Sequence, residues 1–176
     1  MGTFFFILYV LFIASVYLSS TKKQALLLNA LCCISAAIYL SVNGGYAGVI
    51  ASLIAATGSL FQLYMYRKCH EKAEDKGFLI LKLLGSIAFA FIGISLLYQS
   101  PSDFLLIIAI AAARGFEMFN NTRFVKLGYA LAEACWFVYA ADNGYMGMYF
   151  VHLVMIFIAF YALYKKPSQQ NLGLAH

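Results

Sequence analysis

The sequence predicts an all-α membrane protein: seven transmembrane helices, arranged as two parallel three-helix repeats joined by a linker helix. Three observations predict it. The 176-residue chain is 64% hydrophobic and only 11% charged. A soluble domain of this size would have to build its surface from apolar side chains. Seven apolar stretches, each near the length that crosses a bilayer as a helix, follow one another with short polar joints. The chain also nearly repeats itself at an offset of about 100 residues. Gly45, Tyr46 and Gly48 align with Gly144, Tyr145 and Gly147. Upstream, with a one-residue shift, Thr21-Lys22-Lys23 aligns with Asn121-Thr122-Arg123, and Tyr39 with Tyr139. Two like-oriented triplets fit one membrane only when an odd number of spans separates them, and one stretch lies between.

The first repeat is assigned to residues 1–66, the linker helix to 77–98 and the second repeat to 103–166. Helix one spans 3–20. Its positive charges, Lys22 and Lys23, follow the apolar run, whereas a signal peptide carries them ahead of it. The stretch therefore reads as a retained first helix with its N-terminus outside. Helix two spans 24–42 and helix three 46–66, with Gly44 and Gly48 as a GxxxG at its head. Helix four spans 77–98, with Lys82 one turn in from the basic end, placed to snorkel its charge to the interface. Helix five spans 103–119 and has a small-residue face of Ala109, Ala113 and the run from Ala111 to Gly115. Helix six spans 123–141 and helix seven 145–164. The polar tail, 167–176, is expected to be disordered. The runs are too long and continuous for barrel strands, so their backbone groups are satisfied as helices.

Charge sorts with this topology. Lys22, Lys23, Arg67, Lys68, Lys72, Lys76, Arg123, Lys126, Lys165 and Lys166 fall on one side, ten of the twelve Lys and Arg. The joints near Asn43, Ser100 and Asn143 have none. By the positive-inside rule the basic side is cytoplasmic, as is the C-terminus. The net charge of +5 is thus a topology signal, and no nucleic-acid partner is expected. Cys32, Cys33, Cys69 and Cys135 show neither metal-ligand spacing nor a disulfide framework. No nucleophile elbow, phosphate loop or His cluster appears, so no enzyme activity, metal or cofactor is expected.

Polar residues at membrane depth are the candidates for function. Arg114 and Glu133 lie deep in helices five and six, where a lone charge costs about 2.5–3.5 kcal/mol on insertion scales. They are tolerable facing each other or a wet cavity, either as a structural ion pair or along a solute path. Glu117 follows Arg114 at i+3 on the same face. His152 reads either as hydrogen-bonded packing or, with Glu133, as a proton relay. Trp136 is the sole tryptophan; one turn past Glu133, it is too deep for a pure interface role. Tyr39 and Tyr139 are repeat-related. Asn29, Ser35 and Gln62 add uncharged hydrogen-bonding groups to the first half, as solute contacts or as glue between helices. The repeat equivalents of Arg114 and Glu133 are Ala14 and Cys33, so any central site is asymmetric. The expected partners are the lipid bilayer and a small polar solute; a homo-oligomer is left open.

The three-plus-one-plus-three plan with an outside N-terminus resembles the SWEET-type transporter architecture. With Tyr46-Ala47-Gly48 opening helix three, Cys135-Trp136 in helix six and the ending Tyr164-Lys165-Lys166, the chain more closely resembles the YgjV-like bacterial inner-membrane proteins, over residues 4–166. That resemblance implies a bacterial inner-membrane protein of SWEET-like fold. It departs from SWEET transporters in lacking prolines in the first helix of each repeat, since only Pro101 and Pro167 are present. The segment from Gly144 to Lys166 is similar to PnuC-type vitamin transporters, without their tryptophan-rich motif. The expected function is membrane transport of a small polar, largely neutral solute by alternating access between the two helical triplets. Alternatives are PnuC-like vitamin or nucleoside transport and a non-transporting scaffold or partner subunit.

Overall fold

A computed structural model describes residues 2–69, 73–119 and 121–164. The tail at 167–176 and the basic residues Lys72, Lys165 and Lys166 lie outside the described residues. Within them the fold is all-helical, with no strand. The seven helices are α1 (Gly2–Leu18), α2 (Lys22–Val42), α3 (Tyr46–Lys68), α4 (Lys76–Leu96), α5 (Leu105–Phe116), α6 (Thr122–Asp142) and α7 (Met146–Tyr164). A 3-10 turn, Pro101–Phe104, leads into α5.

Five of these helices, α2, α3, α4, α6 and α7, are long and apolar enough to cross a membrane; α1, at 17 residues, and α5, at 12, are shorter. Helix five was expected to run to Phe119. It stops at Phe116, because the N–H groups of Met118 and Phe119 turn back to the carbonyls of Gly115 and Phe116, tightening the end into 3-10 bonding. With its 3-10 lead-in it reaches about 26 Å, at about 1.5 and 2.0 Å per residue.

Three of the helices, α2, α4 and α6, start where a side chain takes an orphan N–H group. At α2, Thr21 Oγ1 accepts from Gln24 N (3.2 Å) and Gln24 Oε1 accepts from Thr21 N (3.3 Å), a reciprocal capping box. Asn121 caps α6 and Asp75 caps α4. Each helix buries one stripe. On α1 it is Tyr9, Ile13, Val16 and Tyr17, at helical spacing. The opposite faces keep large apolar side chains exposed: Leu18 is 80% accessible, Leu81 71%, Phe89 70% and Tyr164 92%. Contiguous apolar surface on this scale is what lipid covers; the molecule fits a helical membrane protein.

In packing, α2 lies between α1 and α3, and α6 between α5 and α7. The two groups meet where α1 touches α7 and α3 touches α5, and α4 covers α3 and α5. α2 and α6 begin and end 100 residues apart. The turns that follow them share a side-chain bond and a glycine conformation. Asn43 Nδ2 donates to the Tyr39 carbonyl (2.7 Å) and Asn143 Nδ2 to that of Tyr139 (2.9 Å). Gly44 and Gly144 both have positive φ, 77° and 74°. The structural register is therefore a single 100-residue interval. The alignment of Gly45 with Gly144, one residue out, does not match the turns, because the left-handed position is held by Gly44. Gly45 and Gly48 serve packing: an added Cβ at either would lie within 3.0 Å of Leu40 and of a tyrosine hydroxyl, Tyr145 or Tyr139.

Gly44→Ala and Gly144→Ala should therefore each destabilise by about 1–2 kcal/mol, the cost of a left-handed L-residue. Thermal unfolding in detergent checks this. Similar losses are expected from the two, and a silent variant at either position would show that its turn does not need the left-handed conformation.

Candidate functional site

The centre of the bundle is polar. Glu117, at the turn that ends α5, is fully buried. It accepts hydrogen bonds from Arg114 Nη1 (2.8 Å), Lys82 Nζ (2.6 Å) and the Tyr129 hydroxyl (2.7 Å). Arg114 also donates from Nη1 and Nη2 to Ser59 Oγ, both at 3.1 Å, and Asn29 Nδ2 donates to the same oxygen (3.1 Å). Lys82 further donates to Gln62 Oε1, whose amide reaches the Ala73 carbonyl at 3.5 Å. One carboxylate thus gathers two cations and ties together α2, α3, α4, α5 and α6. Charges in a low-dielectric interior persist only when paired this closely.

Lys82 corrects an expectation. Its charge does not reach the interface; the side chain turns inward and is 3% exposed. The reason lies in the α4 stripe: Leu79, Lys82, Ser86, Ala90 and Ile94 are its buried residues, and Lys82 shares their face.

A second cluster lies across α1, α6 and α7. Glu133 Oε2 is 2.5 Å from His152 Nδ1. The other ring nitrogen, Nε2, is 2.9 Å from the Tyr9 hydroxyl. The Tyr17 hydroxyl donates to Glu133 Oε1 (3.3 Å). The Trp136 ring stacks on His152 at 5.8 Å and 14°. Arg114 and Glu133, weighed as a direct pair, each have another partner: Glu117 and His152.

Between the clusters is a cavity of about 60 Å³, room for roughly four waters at about 15 Å³ of accessible space each. Most of its lining comes in pairs 100 positions apart, among them Asn29 and Tyr129, Cys33 and Glu133, Ala36 and Trp136, Ser52 and His152. Positions 100 residues apart on α1–α3 and α5–α7 thus face one space. Where the second half presents a charge or a large ring, the first presents a small residue, which leaves the room. Two buried side-chain polar atoms among the described residues have no hydrogen-bond partner, Ser52 Oγ and Arg114 Nε, and both residues line this cavity.

Of the nominated residues, Asn29, Arg114, Glu133, Trp136 and His152 meet at the cavity. The other four stand apart. Gln62 belongs to the Lys82 contact. Ser35 Oγ donates to the Leu31 carbonyl of its own helix (2.9 Å). Tyr39 packs on Phe6, with ring centroids 5.1 Å apart. Tyr139 accepts from the Gly48 N–H (3.2 Å) and sets its ring edge-on to Trp136, one layer beyond the cavity. Residues the sequence reading passed over are Tyr9, Tyr17, Ser52 and Ser59. Their signal is positional: each sits on its helix's buried stripe. Among the described residues no group of three His, Cys, Asp or Glu side chains gathers as a metal site. Comparison with protein-family models, with curated proteins and with solved structures gives no match to this chain.

Proposed function

We propose that this chain is a membrane transporter that carries a small, polar, largely neutral solute by alternating access between two parallel three-helix units, α1–α3 and α5–α7. The observation that carries the reading is the central cavity, lined from opposite halves by Arg114 and Ser52, each of which has a buried polar atom without a partner, Nε and Oγ. An unmet buried donor costs about 1–3 kcal/mol, and a polar solute entering there supplies the missing partner. Trp136 and Glu133 offer it a ring edge and an acceptor, and Asn29 a further amide. Solute sites at the interface of internal repeats are a recurrent transporter design.

The proposed setting is the bacterial inner membrane, with the N-terminus outside and the C-terminus cytoplasmic. Charge placement supports it. Lys22 pairs with Glu74 at 3.1 Å, and Lys126 Nζ donates to the Tyr17 carbonyl at 2.7 Å. The basic helix ends thus cluster, while Ser100, Ser102, Asp142 and Asn143 bond together without Lys or Arg. Membership in the YgjV-like proteins is part of the same proposal, as is the SWEET-like plan. The small cavity favours compact solutes over vitamins or nucleosides in this conformation. A second reading, a non-transporting scaffold, is supported by the small size of the cavity and by the pairing of Arg114 with Glu117 and of Glu133 with His152.

Replacement of Glu133 by Gln separates the two. Transport should fall about tenfold or more, the scale of one charge-assisted hydrogen bond, while the yield of folded protein persists. Uptake into liposomes, with ribosides, hexoses and polyols as the solute panel, is the measurement. A collapse of folded yield would instead mark Glu133 as a structural ion-pair partner.

A further inference from the structure

We infer that Tyr9, His152 and Glu133 form a proton-binding site, and that a proton taken up there is the coupling ion of the transport proposed above. The second clause rests on that reading; the first stands without it. The geometry is a continuous path across three helices. Glu133 on α6 holds Nδ1 of His152 on α7 at 2.5 Å, and Tyr9 on α1 holds Nε2 at 2.9 Å. With both ring nitrogens engaged and Trp136 stacked on one face, the imidazole has one orientation. The facing groups are Tyr9 and Tyr17 from α1, Cys32 and Cys33 from α2, Arg114 from α5 and Tyr129 and Glu133 from α6. From α3 only the hydroxyl of Ser52 faces the same space. Arg114 is engaged by Glu117, so the carboxylate that answers His152 is Glu133.

The proton balance is simple. With Glu133 ionised and His152 neutral, Nδ1–H donates to the carboxylate and the Tyr9 O–H donates to the lone pair on Nε2. A proton from water that binds Nε2 turns the imidazole into an imidazolium paired with the carboxylate. No other bond is made or broken, and the pair goes from one negative charge to none. Nε2–H then donates to the Tyr9 oxygen. The Tyr9 O–H can no longer point at the ring, and turns into the cavity that Tyr9 lines. Protonation thus adds a hydrogen-bond donor to the solute site and reverses the polarity of an α1–α7 contact between the two halves. Proton and solute then favour each other's binding, and the coupling is reciprocal.

Trp136, the only tryptophan, is a built-in probe, because an imidazolium against an indole quenches its fluorescence. In the purified chain in detergent, emission should be lost through a one-proton transition as the solution is acidified, because imidazole gains charge with that proton. His152→Gln should abolish the transition, and Glu133→Gln, which removes the carboxylate partner, should displace it. If His152→Gln does not fold, Glu133→Gln decides. No transition in the wild-type chain, or one unchanged in the variants that fold, overturns the proton site. For coupling, the chain in liposomes with an external pH indicator is given ribosides, hexoses and polyols in turn. Solute entry should make the outside more alkaline, and Tyr9→Phe should uncouple the two. Solute entry without proton movement overturns the coupling. A fluorescence transition without any solute flux leaves the proton site standing and removes the transport reading instead.

Discussion

Replacing Glu117 by Ala should leave almost no recoverable folded protein. The carboxylate is the one acceptor shared by Arg114 at 2.8 Å, Lys82 at 2.6 Å and Tyr129 at 2.7 Å. Removing it strands two cations that are 0% and 3% exposed. Breaking a buried pair from one side costs about 3–5 kcal/mol, a large share of the about 5–15 kcal/mol that separates folded from unfolded chains. Here two such contacts share one anion. The loss should reach beyond the site, since the cluster joins five helices. Monodisperse yield by size-exclusion chromatography in detergent reads the effect. Rescue tests the cause: in a Glu117→Gln chain, Lys82→Met removes one of the stranded charges and should restore part of the yield. A Glu117→Ala chain that folds and elutes like the wild type would mean the cluster contributes little.

How much of this was legible in the sequence depends on what kind of signal each residue carries. The helices were plain, because apolar length in lipid leaves the backbone no other way to satisfy itself. The likeness of the two turns was visible through glycines and tyrosines, but with a one-residue slip. Gly45 and Gly48 look like partners of Gly144 and Gly147, and only the φ of Gly44 and Gly144 shows which glycine makes the turn. Arg114, Glu133, Trp136 and His152 stood out because charge, indole and imidazole are rare at that depth. Tyr9 and Tyr17 could not stand out in a chain with 13 tyrosines. Their importance comes from partners 143 and 116 positions away, a distance that local pattern does not span. Lys82 was misread because its nearness to a helix end was weighed above its place on the buried stripe. The early stop of α5 was hidden by Glu117, Met118 and Phe119, which continue a helical pattern while the backbone turns away.

Among the glycines, Gly128 should be the least replaceable. A Cβ built there lies 2.3 Å from Phe116 Cβ, 2.9 Å from Phe116 Cγ and 3.0 Å from the Ala112 carbonyl oxygen. Phe116 Cβ is fixed to its backbone and cannot swing aside, so a Gly128→Ala chain must push α5 and α6 apart. Overpacking of this kind costs about 1–3 kcal/mol, and Gly128→Leu should exceed it. The position matters because α5 carries Arg114 and leads into Glu117, while α6 carries Tyr129 and Glu133. Separating the two helices lengthens the Tyr129–Glu117 bond and loosens both polar clusters at once. Gly115 is the internal control. It ends the small-residue run of α5, yet an added Cβ there meets nothing within 4 Å, and Gly115→Ala should be neutral or stabilise by up to about 1 kcal/mol through helix propensity. Thermal midpoints of the two alanine variants, measured side by side, should therefore diverge in sign or nearly so. Equal midpoints would mean that the α5–α6 crossing is looser than this contact requires, and that the small residues of α5 are there for some reason other than close approach.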